Sequence, residues 1–219
     1  MSAWTSNARF KAHPKQILAD GTKAVSVTTA LSELAKPALI RWANNMGLKG
    51  IDTTKYVDEK AKAGSLAHAM ILADLAGIKP DLREYTQHEL DQAENSYLKF
   101  LEWQKKHKLE PIFCEKGFVS ERYRYGGIID CYCRLDGTLT MLDFKTGKAI
   151  YDEMWFQVAA YGQMLKEMGH PVEEYRILQI GRDESENSSE QYRKTLDDQF
   201  EVFLHALSIY NLKKKIKGE

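Results

Sequence analysis

Three charged side chains near the middle of the chain have the types and spacing that could hold a divalent cation and assist a hydrolysis. Asp143 and Lys145 stand two apart in Leu142-Asp143-Phe144-Lys145-Thr146-Gly147, and residues two apart in an extended strand project from one face. Asp130 closes the segment Gly126-Gly127-Ile128-Ile129-Asp130. Between the two segments, Asp136-Gly137 is a strong hairpin turn, so Asp130 is expected on the strand beside Asp143. Two carboxylates and an ammonium on one sheet face are costly to bury without a task. A divalent cation relieves the repulsion between the carboxylates, and oxygen donors of this kind suit Mg²⁺ or Mn²⁺. Such an ion lowers the pKa of a bound water and polarises a phosphoryl oxygen. Lys145 is then placed to orient the attacking water or to offset charge in the transition state. A lone Asp-x-Lys also fits an exposed pair on a solvated amphipathic strand, and such pairs contribute little.

The elements that must position these residues follow from periodicity. Residues 112–120, 125–135 and 138–145 are rich in β-branched and aromatic side chains and predict three antiparallel strands. A helix over 153–168 follows, ended by Gly169-His170-Pro171, with Asp152 as its N-cap. Then come a strand over 174–180, a polar loop over 183–191 and a terminal helix over 196–216. Upstream, Leu31, Leu34, Ala35, Leu39 and Trp42 mark a helical face capped by Thr28 or Thr29 and broken near Pro37. Residues 54–76 and 86–108 predict two more helices, the first closed by Gly77. The expectation is one α/β domain: an N-terminal arm over 1–24, a helical region over 25–110, and a core over 111–219 built as a mixed sheet flanked by helices.

The ordered set of motifs resembles the PD-(D/E)XK nuclease superfamily, and within it the RecB-like exonuclease branch. The resemblance rests on Gly127-Ile128-Ile129-Asp130, Asp143-Phe144-Lys145-Thr146 and Gln157-Val158-Ala159-Ala160-Tyr161, with Gly64-Ser65-Leu66-Ala67-His68 upstream. With Ser26-Val27-Thr28 and the Trp42 helix, the layout over roughly residues 25–180 is similar to the mitochondrial genome maintenance exonucleases and their phage relatives. The resemblance implies a PD-(D/E)XK core and a Mg²⁺- or Mn²⁺-dependent deoxyribonuclease, acting from strand ends in replication, recombination or repair. It implies His68, Asp130 and Asp143 as metal ligands and Lys145 as the catalytic ammonium. Gln157 and Tyr161, four apart on one helix face, would support that chemistry. DNA with a single-stranded end is the implied partner. A structure-specific endonuclease on the same core, or a silent nucleic-acid-binding module, are the alternatives, and the intact Asp, Asp, Lys set argues against the second.

Composition neither adds to this nor opposes it. The 219 residues carry 43% hydrophobic and 28% charged side chains and a formal net charge of zero, so no bulk basicity announces a nucleic-acid partner. Three cysteines, Cys114, Cys131 and Cys133, are too few for the four-cysteine iron–sulfur staple of some relatives and are expected as buried core thiols. No apolar run reaches membrane-spanning length, and Met1-Ser2-Ala3-Trp4-Thr5 has no signal-peptide core, so an intracellular, cytoplasmic protein is the expectation, with a phage origin among its settings. Glu115 is read either as a solvated strand residue or as a further carboxylate of the site. Trp42, Trp103 and Trp155 are core aromatics or stacking surfaces for bases. The Lys213-Lys214-Lys215-Ile216-Lys217 tail suits a helix C-terminus or a phosphate backbone equally.

Overall fold

The computed structural model of the chain describes residues 16–80, 82–83 and 85–218, so most of the expected N-terminal arm lies outside the described residues. In chain order the elements are β1 (Val25–Ser26), α1 (Val27–Leu31), α2 (Pro37–Leu48), α3 (Thr53–Leu75), α4 (Gln87–Gln104), β2 (Leu109–Ser120), β3 (Tyr125–Leu135), β4 (Thr138–Thr146), α5 (Asp152–Glu167), β5 (Glu174–Ile180), β6 (Ser189–Arg193) and α6 (Asp197–Lys217).

β2, β3 and β4 form the expected antiparallel meander. Asp136 and Gly137 both take positive φ, 51° and 90°, which the tight two-residue turn requires. β2 covers one edge of β3 along its whole length, Leu109↔Leu135 to Ser120↔Tyr125. The other edge of β3 is shared. β4 pairs with its C-terminal half, and β1 runs parallel to its start, Val25↔Tyr125 and Ser26↔Gly126. The β3–β4 ladder stops at Cys131↔Leu142, one residue short of Asp130 and Asp143. Beyond that point β4 stays with β5, parallel from Thr140↔Glu174 to Thr146↔Ile180. The sheet is therefore mixed and forked, and the two aspartates stand at the mouth of the fork.

Helices cover both faces. α3 and α4 bury Ile71, Leu72, Phe100 and Trp103 against Cys131, Cys133, Leu142, Phe144 and Leu178. On the opposite face α5 and α6, with α1, bury Trp155, Val158, Met164, Phe203 and Leu207 against Tyr125, Ile129, Met141 and Ile177. Residues two apart on a regular strand share a face, yet Ile129 and Cys131 enter opposite cores. On β2, Cys114 and Phe118 are split the same way. The change of phase falls at Asp130 and, across the ladder, at Glu115, whose φ of 47° is that of a left-handed residue. This local strain turns both carboxylates out of the regular alternation and toward α3.

Five local expectations are corrected. The upstream helical pattern is two helices, α1 and α2, because Pro37 starts the second as a favoured first-turn residue. Ser26, not Thr28 or Thr29, caps α1, accepting from the Thr29 N–H. Asp152 is the first residue of α5, where its charge suits the helix N-terminus, and Tyr151 is the N-cap. The polar stretch expected as loop over 183–191 contains the start of edge strand β6, which is almost wholly exposed and so carries no apolar alternation to announce it. α4 is shorter than expected at its end, and its start is fixed by a capping box between Thr86 and Glu89. All three cysteines are free and buried. Among the described residues no helix is long and apolar enough to cross a membrane.

Candidate active site

The fork gathers side chains from both layers. Asp52 caps α3 by accepting from the Thr54 and Lys55 N–H groups. One turn before His68, α3 lies so close to the end of β4 that a Cβ on Gly64 would stand 2.5 Å from Thr146 Oγ1. Only glycine permits that approach, and the approach delivers His68 to the sheet, with Nε2 3.0 Å from Asp130 Oδ2. The same Asp130 oxygen accepts the Phe144 N–H at 2.9 Å, so Asp130 spans the fork where the ladder has ended. Asp143 is fully buried, with Lys145 Nζ 2.7 Å from its Oδ2. That contact is an ion pair without hydrogen-bond angles. Both Asp143 oxygens, and Oε2 of Glu115, are buried with no hydrogen-bond donor among the described residues.

On α5, Gln157 Nε2 donates to the Tyr161 hydroxyl at 2.8 Å. The Tyr161 ring lies against Gly127, where a Cβ would meet Cε1 at 2.3 Å. The glycine ahead of Asp130 is thus a seat for that ring. Tyr161 is close enough to Lys145 for the ammonium to act on its phenol.

Electrostatics divide the two aspartates. Burial pushes Asp143 up to about 6, with Asp130 adding to the rise and Lys145 opposing it. Asp130 is also penalised by burial, but His68, Lys145 and the Phe144 N–H together hold it below its ordinary value. Burial disfavours the charged ring of His68, yet Asp130 outweighs it and raises the pKa. Lys145 is raised too, because Asp143 and Asp130 overcome its desolvation. Burial and the charge of Asp130 lift Glu115, against the pull of His68. Burial leaves the Tyr161 phenol at about 12, a neutral donor at any working pH.

Among the described residues no three His, Cys, Asp or Glu side chains form a ready-made metal cage. The donor set nevertheless fits a hard divalent cation. Asp143 Oδ1 and Glu115 Oε2 are buried without a partner, and Asp143 Oδ2 has only the Lys145 ammonium; buried carboxylate oxygens so placed are what Mg²⁺ or Mn²⁺ takes. The structure brings His68, Asp130, Asp143 and Lys145 together as expected, keeps Gln157 and Tyr161 as a pair beside Lys145, and adds Glu115. Nothing in the sequence around Glu115 betrays its left-handed backbone.

A cleft of about 1710 Å³ opens over the fork, walled by α2 and α3. His68, Glu115 and Lys145 line it, with Trp42, Tyr56 and Lys60 farther along. Asp130 and Asp143 lie outside that lining, and their cationic partners form it. Trp103 and Trp155 are core residues, the first donating to Glu190 and the second lying beneath the Arg193 guanidinium. Trp42 is different, being half-exposed on the cleft wall.

As a class, the fork sets buried acids, a histidine and an ammonium together at one end of a cleft, a set that could hold a divalent cation and act on a phosphate ester. Residues 41–213 match the PD-(D/E)XK nuclease superfamily, and the chain belongs to it. A solved structure from Eubacterium rectale, described as a candidate exonuclease, has a TM-score of 0.50 and 15% identity over 67% of this chain and 64% of that one. The present chain thus spans less than two thirds of that relative's length, and at this identity the likeness is one of fold. The protein SSO0001 aligns at a TM-score of 0.34 and 12% identity, over 68% of this chain and 75% of its own. No curated protein matches the sequence.

Proposed function

We propose that the chain is a Mg²⁺- or Mn²⁺-dependent deoxyribonuclease that works from strand ends and prefers an end that is single-stranded. The observation that carries this reading is Asp143, a fully buried carboxylate whose Oδ1 has no partner and whose Oδ2 has only the Lys145 ammonium, at 2.7 Å. Such an arrangement costs stability in the absence of a ligand. Asp130, Asp143 and His68 would hold the cation, with Glu115 adjoining. When bound, the cation supplies an acidified water and polarises a phosphoryl oxygen. Lys145 offsets charge on the phosphoryl group or orients the attacking water. Tyr161, kept neutral and held by Gln157, fixes the neighbourhood of Lys145.

Geometry supports a single-stranded end. α2 and α3 wall the cleft over the fork and narrow the approach to it, and a flexible single strand can thread such an approach. We read the chain as one nuclease unit whose helical region over 25–110 walls the approach. Replication, recombination or repair inside the cell, a phage setting included, is the role the motif resemblance supports.

The experiment is cleavage of end-labelled single-stranded and duplex DNA with Mg²⁺, Mn²⁺ or EDTA, beside a covalently closed single-stranded circle. Hydrolysis of the linear strand, loss in EDTA and survival of the circle are expected. Rapid cutting of the circle assigns an endonuclease. Binding without cleavage under every metal condition assigns a silent module.

A further inference from the structure

The cleft has a feature that hydrolysis does not use. α2 buries none of its side chains. A helix of 12 residues gains little from propensity alone, and this one leaves Leu39 53% and Ile40 73% exposed. Its Trp42 nonetheless faces the cleft, where it meets Tyr56 of α3. The two ring centroids are 5.9 Å apart with planes at 52°, tilted and not stacked. Neither ring therefore covers the other, and both are half-exposed. Lys60 Nζ lies 5.9 Å from the Tyr56 centroid, and Lys148 also lines the cleft. The same cavity continues without a break to His68 and Lys145.

Resting on the nuclease reading, we propose that Trp42 and Tyr56 form a stacking subsite for unpaired bases of a single strand whose scissile phosphate lies at Lys145. Aromatic faces beside cations are how proteins hold single-stranded nucleic acid without reading its sequence, because every base has a π-face. In a duplex those faces are taken by neighbouring bases, so the subsite admits only unpaired ones. The cations along the wall meet the backbone while the rings meet the bases. Trp42 acts in binding and touches no reacting atom of the phosphodiester.

The test is fluorescence anisotropy in EDTA, which prevents hydrolysis, with a labelled 12-mer of thymidine and copies carrying one abasic position in turn. Trp42→Ala should weaken the intact oligonucleotide about 5- to 100-fold, the range of one lost base–aromatic stack. Trp42→Phe should stay within a few-fold of the parent. One abasic position should weaken binding to the parent and make no difference to Trp42→Ala. α2 has no fully buried side chain and Trp42 is half-buried against Tyr56, so Trp42→Phe should keep the parent's melting temperature and Trp42→Ala should keep the parent's fold by circular dichroism. Unchanged affinity in Trp42→Ala overturns the subsite, as does an abasic penalty equal in parent and variant. If Trp42→Ala instead abolishes a concentration-dependent self-association and leaves oligonucleotide affinity intact, the face belongs to a second copy and the proposal fails. A parent that cleaves DNA with Mg²⁺ while Trp42→Ala binds normally removes the subsite alone. A parent that neither cleaves nor binds removes the nuclease reading, and the subsite with it.

Discussion

Asp143→Asn should abolish hydrolysis and, in EDTA, make the protein more stable. The carboxylate is fully buried, and its pKa stands at about 6 against an ordinary 3.8. A rise of about two units, at about 1.4 kcal/mol each, means that keeping it charged costs about 3 kcal/mol. That value already includes the pull of Lys145, and Asn stands in for the protonated acid, so the whole of this cost is removed in the variant. A net gain of about 3 kcal/mol is therefore expected, which for a domain of this size is roughly 6–12 °C in melting temperature. The sign fixes a pH window. A carboxyl whose folded pKa is raised contributes stability below its unfolded value and loses that contribution as pH climbs to the folded one. Parent and variant should thus melt together near pH 4, diverge between about 4 and 6, and keep a constant gap above. Thermal denaturation in EDTA from pH 4 to 8 reads this directly. An Asn variant that is less stable at pH 8, or a gap that does not depend on pH, would refute the account of Asp143 as a carboxylate kept at the cost of stability.

Lys145→Ala should lower cleavage by about 100-fold or more, the scale for losing a transition-state electrostatic partner, with the fold retained by circular dichroism; near-parental rates would show that Lys145 lies outside the chemistry. His68→Ala should weaken Mn²⁺ binding about 10- to 100-fold, read by calorimetry or by the metal-induced shift in melting temperature, and unchanged binding would detach α3 from the metal site. Gly64→Ala places a Cβ 2.5 Å from Thr146 Oγ1 and should cost about 1–3 kcal/mol by overpacking, with Thr146→Ala restoring much of the loss in the double variant. If the second substitution restores nothing, the close approach of α3 to β4 is not what requires glycine.

The meander was open to sequence reasoning because Asp136-Gly137 favours a tight hairpin turn and the flanking segments are rich in β-branched and aromatic residues. β5 was equally plain, as a buried run bounded by Pro171 and Gly181. The charged site followed from the strand period, which puts Asp143 and Lys145 on one side. What stayed hidden depends on long-range geometry. The strand period alone places Glu115 on a regular face, and only the left-handed kink opposite Asp130 turns it toward His68. Ser-Glu-Gln-Tyr-Arg in β6 buries nothing, so its strand character comes from pairing with β5 and leaves no mark on composition. Trp42 has the helical spacing of a core residue, and what separates it from Trp103 and Trp155 is that no layer packs over α2.

The sharing of one β3 edge between β1 and β4 has a consequence for how the chain can be divided. Val25 must find Tyr125, so the first strand of the sheet comes to rest only after the hairpin far downstream exists. α1, which follows it directly, belongs to the core beneath α5. Contacts this distant in sequence delay folding, because the intervening loop must close before they can form. A ribosome would thus release the helical region long before anything could receive it, with the apolar faces of α3 and α4 uncovered meanwhile. Cutting the gene near residue 110 should accordingly yield two insoluble fragments in place of an arch and a catalytic half, and co-expression of the pieces should be needed to recover either.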